Sequence, residues 1–111
     1  MSKKGQTFEK NAKVENLLID FMIGHKGIEQ AVSSKELCIF LAEKGLLIDR
    51  RSAGSKLIRL SVERHLPICH DSNRGYYWAK SRDDLLRSVD DLKSRISALQ
   101  GRIAHLSSFI F

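Results

Sequence analysis

With 111 residues, 42% of them hydrophobic, 29% charged and a single proline, the chain has room for one compact domain and an appendage, not for two full domains. No apolar run approaches bilayer-spanning length, which argues against a transmembrane helix. No apolar core follows the charged start Met1-Ser2-Lys3-Lys4, which argues against a signal peptide, so the expected location is the cytoplasm. The 19 Lys and Arg outnumber the 13 Asp and Glu, and the excess is N-terminal: up to residue 80 there are 14 basic and 9 acidic residues, beyond it 5 and 4. Such a balance suits a binder of the phosphate backbone, because each phosphate neutralised releases counterions.

In chain order, residues 1–7 are polar and read as a flexible basic lead. From Phe8 to His25 the apolar residues Val14, Leu17, Leu18, Phe21 and Met22 recur at helical spacing, and Gly24 and Gly27 stop the helix. Glu29-Gln30-Ala31-Val32 reads as a short extended link. Ser33 followed three residues later by Glu36 forms a capping box, so a second helix runs to about Lys44 with Leu37, Phe40 and Leu41 inward and Gly45 at its end. Asp49 or Ser52 can cap a third helix reaching Arg64, whose apolar residues are Leu57, Ile58, Leu60 and Val62; Gly54 weakens its first turn, and Pro67 forbids its continuation. Leu66-Pro67-Ile68-Cys69 and Tyr76-Tyr77-Trp78-Ala79 read as strands around the turn formers Asp71 to Gly75, a β-hairpin. Ser81 with Asp84 caps a last helix that continues almost to the end. The expected fold is mainly α with a small β-hairpin: a winged helix-turn-helix domain over 8–80, in which the third helix enters the DNA major groove, followed by a coiled-coil dimerisation helix over 81–111.

The last helix carries the sharpest pattern. Leu85, Leu92, Leu99 and Leu106 occupy heptad position d, and Val89, Ile96, Ile103 and Ile110 position a; β-branched residues at a with leucine at d favour a parallel two-stranded coiled coil. A helix of this length, about 38 Å, exceeds what so small a domain can cover. In a parallel pair the flanking residues meet as Ser88 with Lys93, Arg95 with Gln100 and Arg102 with Ser107, whereas an antiparallel pair opposes arginines. A homodimer through this helix is the expectation.

Reading a base edge needs long donor side chains on an exposed helix face, and arginine can give guanine two hydrogen bonds at once. The third helix offers Arg50, Arg51, Ser52, Ser55, Lys56 and Arg59, of which 52, 55, 56 and 59 share a face. The candidates for DNA contact are Arg50, Arg51, Ser55, Lys56 and Arg59, together with Ser34 and Lys35 at the start of the second helix, where free N–H groups hold phosphate, and Asn73 and Arg74 at the hairpin tip. Lys3, Lys4, Lys10 and Lys13 form a basic arm. Tyr76, Tyr77 and Trp78 are read as packing residues, since alternate side chains of a strand face one side.

Catalytic signals are lacking, and the chain is read as a non-enzyme without cofactor. His65, Cys69 and His70 lie close in sequence, but no second pair supplies a four-ligand zinc site. Cys38 and Cys69 are too few for a disulfide framework and read as buried free thiols.

From Ser33 onward, about two thirds of the chain, the sequence resembles small winged-helix proteins of bacteriophages and prophages, and more distantly the DNA-binding domain of the biotin repressor. The resemblance rests on Ser33-Ser34-Lys35-Glu36-Leu37, Leu66-Pro67-Ile68-Cys69, Gly75-Tyr76-Tyr77-Trp78-Ala79 and the helical stretch Ser81 to Leu106. It implies a phage transcriptional regulator or replication-associated binder of double-stranded DNA. The alternative is a phage-encoded inhibitor of anti-CRISPR type, which uses the same surface to bind a host protein or nucleoprotein complex.

Overall fold

A computed structural model describes the backbone of residues 3–110 and the side chains of residues 12–110. Four helices, a 3-10 turn and one hairpin follow in the order α1 (Lys3–Ile23), the turn Ile28–Gln30, α2 (Ser34–Glu43), α3 (Arg50–Glu63), β1 (Ile68–Asp71), β2 (Gly75–Trp78) and α4 (Arg82–Ser107). No helix among the described residues is long and apolar enough to cross a membrane.

The helices begin and end where side-chain chemistry dictates. Ser33 Oγ accepts the Glu36 amide at 3.2 Å, Asp49 accepts the Ser52 amide at 2.8 Å and Ser81 Oγ accepts the Asp84 amide at 3.2 Å, each satisfying an N–H that has no partner within its helix. At their C-termini α2 and α3 close the same way: Leu46 N donates to Leu41 O and Leu66 N to Ser61 O, across a residue with positive φ. In α2 that residue is Gly45; in α3 it is His65 (φ 54), which ends the helix three residues past Val62 and just ahead of Pro67. Helix α1 starts at Lys3 rather than at Phe8, so part of the expected polar lead is helical backbone.

One core joins α1, α2 and α3: Val14, Leu18, Met22, Leu37, Leu41, Ala53, Leu57 and Leu60 are buried, and Phe21 stacks on Phe40 with ring centroids 4.3 Å apart. Two apolar residues of α3 depart from the expected stripe. Ile58 is 40% and Val62 78% exposed, because at 100° per residue they turn away from the Ala53, Leu57 and Leu60 line and toward α4.

The hairpin pairs Ile68 with Trp78 and Asp71 with Gly75, two residues later in β1 than expected from the sequence. Asp71 sets that limit. Its carboxylate accepts the amides of Asn73 (2.8 Å) and Arg74 (3.0 Å), so the chain must turn there. On its other edge β2 is held by the α1–α2 link. Val32 N donates to Tyr76 O at 2.8 Å and Tyr76 N to Val32 O at 2.7 Å, while Gly27 N donates to Trp78 O and Trp78 N to His25 O, both at 2.8 Å. The expected extended link is therefore a 3-10 turn with only Val32 in the ladder position. Gly75 makes this approach possible: its φ is +107°, and a Cβ there would lie 2.2 Å from the Val32 carbonyl oxygen.

Helix α4 leaves the domain past the hairpin. Cys69 and Tyr77, both buried and paired across the ladder, meet its first turn, where the Cys69 thiol lies 3.8 Å from the Asp84 carbonyl oxygen. No α4 residue is fully buried.

Gly54 has a packing reason. A Cβ at this position of α3 would come 2.4 Å from the Tyr76 hydroxyl oxygen. Gly54→Ala therefore lowers the thermal midpoint even though alanine is the better helix former by about 1 kcal/mol. The same substitution in a Tyr76→Phe chain costs less, read by thermal unfolding of the four variants of the cycle.

Candidate functional site

Two local devices bring distant residues to one place. The Val32–Tyr76 hydrogen bonds set the hairpin beside the start of α2, and the Asp49 cap points the first turn of α3 at the same spot. The result is a small polar cleft lined by Ser33, Ser34, Arg50, His70, Asn73 and Arg74, with Asp71 and Tyr76 at its wall. Four sequence candidates, Ser34, Arg50, Asn73 and Arg74, thus converge. Lys35 lies in the same first turn of α2, exposed, and does not line the cleft.

The rest of α3 presents two overlapping rows of polar residues. Arg51, Ser55 and Arg59 are exposed at i, i+4, i+8 and run along the side opposite the buried Ala53, Leu57 and Leu60. Ser52 and Lys56 line one open cleft with Ser55 and Arg59, beside Leu47 and Asp49. Lys56 is half-buried with its Nζ 4.0 Å from Glu15, which also holds Arg64 at 2.7 Å, and Ser52 gives both its amide and its hydroxyl to Asp49. Among the described residues, Arg50, Arg51, Arg59 and Arg74 enter no ion pair.

Hydrogen bonds hold two carboxylates at this surface below their ordinary range: Asp49 through the Ser52 amide and hydroxyl, Asp71 through the Asn73 amide and then that of Arg74. Both stay ionised at neutral pH and fix turns rather than standing free. Burial, and after it the charge of Arg95, pushes the His70 imidazole down, so it sits in the cleft as a neutral group. Its ring lies 4.5 Å from that of Tyr76, its partner across the ladder. His70 and Tyr76 escaped the sequence reading as cleft residues; strand alternation from the buried Cys69 and Tyr77 is the signal that places them on the other face.

His65, Cys69 and His70 do not converge. His65 is exposed at the end of α3, and Cys69 and His70 point to opposite sides of β1. Cys38 is half-buried and Cys69 buried, and burial raises the Cys69 thiol pKa. Tyr77 is buried beside it, its hydroxyl pushed up to about 12. The side chains of Lys3, Lys4 and Lys10 lie outside the described ones; Lys13 is exposed.

The eight heptad residues Leu85, Val89, Leu92, Ile96, Leu99, Ile103, Leu106 and Ile110 are all 42–74% exposed, and form one continuous apolar stripe that the single chain leaves bare. A second apolar surface, Leu47 (84% exposed) and Ile39, flanks α3 at the α2–α3 loop.

No family model matches the chain, and neither a curated protein nor a solved structure is significantly similar to it.

His70 offers a pH test. A depressed folded-state pKa means the unfolded chain binds the proton more readily. Its contribution to stability is present above the ordinary histidine value of 6.5 and is lost as pH falls below it, toward the folded value. The His70 ring should titrate below 6.5 by NMR, and His70→Asn should flatten the fall in thermal midpoint between pH 7 and 5.

Proposed function

We propose that the chain is a dimeric winged helix-turn-helix protein that binds double-stranded DNA, with α3 as the recognition helix, the β1–β2 hairpin as the wing and α4 as the dimerisation helix. The observation that carries the reading is the convergence of α2's N-terminus, Arg50 and the hairpin tip on one cleft. The exposed row Arg51, Ser55 and Arg59 lies on the same helix as Arg50. Phosphate fits the cleft: the α2 N-terminus supplies N–H groups and positive dipole, and Arg50 and Arg74 supply charge. Base edges fall to Arg51, Ser55 and Arg59, which stand clear of other side-chain charges among the described residues. Lys56, drawn toward Glu15, gives at most a backbone contact. The bare stripe of α4 is the seam of a parallel coiled coil with a second copy. Two-fold pairing of α4 sets two α3 helices on one duplex, so the preferred site is an inverted repeat. A phage regulator or replication-associated DNA binder is the role this assembly fits.

One observation favours a second reading. Leu47, 84% exposed and next to Ile39 and the α3 row, suits a protein partner better than a phosphate backbone, as an inhibitor that docks on a host protein or nucleoprotein complex requires.

The test is anisotropy of a labelled random duplex and of genomic fragments with the full chain. Neutralising six phosphates makes affinity fall by roughly 10³-fold between about 50 and 200 mM salt. Arg51→Ala and Arg59→Ala should weaken binding to the preferred fragments more than to the random duplex, whereas Arg50→Ala and Arg74→Ala should weaken both and each shrink the salt slope by about one. Absence of binding at low salt overturns the DNA reading and turns the search to a protein partner at Leu47.

A further inference from the structure

Between α3, the hairpin and the first half of α4 lies a cleft of about 380 Å³ that the proposed function does not use. Its walls are apolar: Ile58 and Val62 from α3, Ile68 from β1 and Leu92 from α4. The rings of His70 and Tyr76, 4.5 Å apart, complete the lining on the hairpin face opposite the buried Cys69 and Tyr77. The same two rings wall the polar cleft beside Arg50 and Arg74, so they divide one cleft from the other. Small-molecule sites run from about 300 to 1,000 Å³ and are mostly apolar with a few polar groups, and this cleft fits both conditions.

Its polar groups favour one sign of charge. Arg95, exposed at the cleft, gives one guanidinium nitrogen to Asp91 at 2.9 Å and keeps its other donors unspent. Asp91 lines the cleft too, yet its charge does not prevail. After burial, the largest influence on the His70 imidazole is Arg95, ahead of Asp91 and Asp71, and Arg95 is also the charge that acts on the Tyr76 hydroxyl. Neither the His70 ring nor the Tyr76 hydroxyl makes a hydrogen bond within the chain among the described residues. An apolar cleft with a dominant cation and two unpaired polar groups suits an anion with an apolar body.

The second copy does not supply one. In the parallel pair its Lys93 and Gln100 meet the Ser88 and Arg95 flank. Both are polar and leave the apolar walls uncovered, and Lys93 adds another cation on the α4 side.

We propose that this cleft binds a small organic acid, an aryl or branched-alkyl carboxylate. The carboxylate accepts from the Arg95 guanidinium, and the apolar body displaces water from Ile58, Ile68 and Tyr76. One chain carries the whole site, so it stands whether or not the chain binds DNA.

The probe is phenylbutyrate; the neutral phenylbutyramide and the cationic phenylbutylamine keep its apolar body and change its charge. NMR titration of the isotope-labelled full chain should give saturable shifts at Ile58, Ser88 and Leu92 with the acid. Bound acid should also raise the pKa of the His70 ring. The amide and the amine should bind about tenfold more weakly or worse. Arg95 is exposed, so Arg95→Gln spares the fold; it should weaken the acid about tenfold and leave the amide unchanged. Equal affinity for the three probes, or an Arg95→Gln chain that holds the acid as before, overturns the proposal. So does the lack of any saturable shift, or saturable shifts confined to Ser34, Arg50 and Asn73, which assign the acid to the polar cleft. The duplex titration decides the DNA reading separately, since it involves neither the probe nor the Arg95 variant.

Discussion

The molecule is governed by a mismatch of length. Helix α4 has 26 residues, about 39 Å, whereas the body it leaves is a three-helix core with one hairpin. The domain reaches only the first half of the helix, through Asp84, Ser88 and Arg95 beside the hairpin and α3. Burying one aliphatic side chain fully is worth about 1.5–3 kcal/mol, and eight of them along one line stay half in water in the single chain. In the proposed dimer a second copy would relieve that exposure with the residues already in place, since every a position is β-branched and every d position is leucine. The proposed dimer and its arrangement of two α3 helices both descend from this one helix being longer than its domain.

The cleft beside α2 rests on backbone contacts. Two reciprocal hydrogen bonds between Val32 and Tyr76, 2.8 and 2.7 Å, fasten the hairpin to the link ahead of α2. They close only because Gly75 brings no Cβ to the Val32 carbonyl, and because Gly54 lets α3 lie against the Tyr76 hydroxyl. The cleft beside Ser34, Arg50, Asn73 and Arg74 is the by-product of that packing. Side chains from three elements far apart in sequence meet there without a salt bridge among them, and the charge they present is free for phosphate. The DNA reading thus depends on two glycines, Gly54 and Gly75, that carry no charge of their own.

Much of this was legible in the sequence. Ser33 with Glu36 and Ser81 with Asp84 marked two helix starts that the structure keeps, and Asp49 took the third cap from the pair that the sequence left open. Caps are local chemistry, decided within four residues, and so they can be read from a string. The buried stripe of α1 and α2 was legible for the same reason. What depended on tertiary context was not. Ile58 and Val62 are as apolar as Leu57 and Leu60, and only the position of α4 explains why they stay out of the core. Ser52, Ser55, Lys56 and Arg59 do line one cleft, as their spacing implied, but the approach of Lys56 Nζ to within 4.0 Å of Glu15, 41 residues earlier, was not legible. The β1 register moved by two residues because the Asp71 carboxylate closes the turn, a contest between strand and turn that alternation alone does not decide. His70 and Tyr76 became cleft residues only once β1 and β2 were paired.

Sedimentation equilibrium of the full chain across a range of concentrations decides whether a second copy covers α4. A second copy on α4 gives a mass twice that of the 12.6 kDa chain, falling toward the monomer on dilution and lost when Leu99, in the middle of the stripe, is replaced by Glu. A monomer at every concentration would contradict it and leave the stripe to another partner.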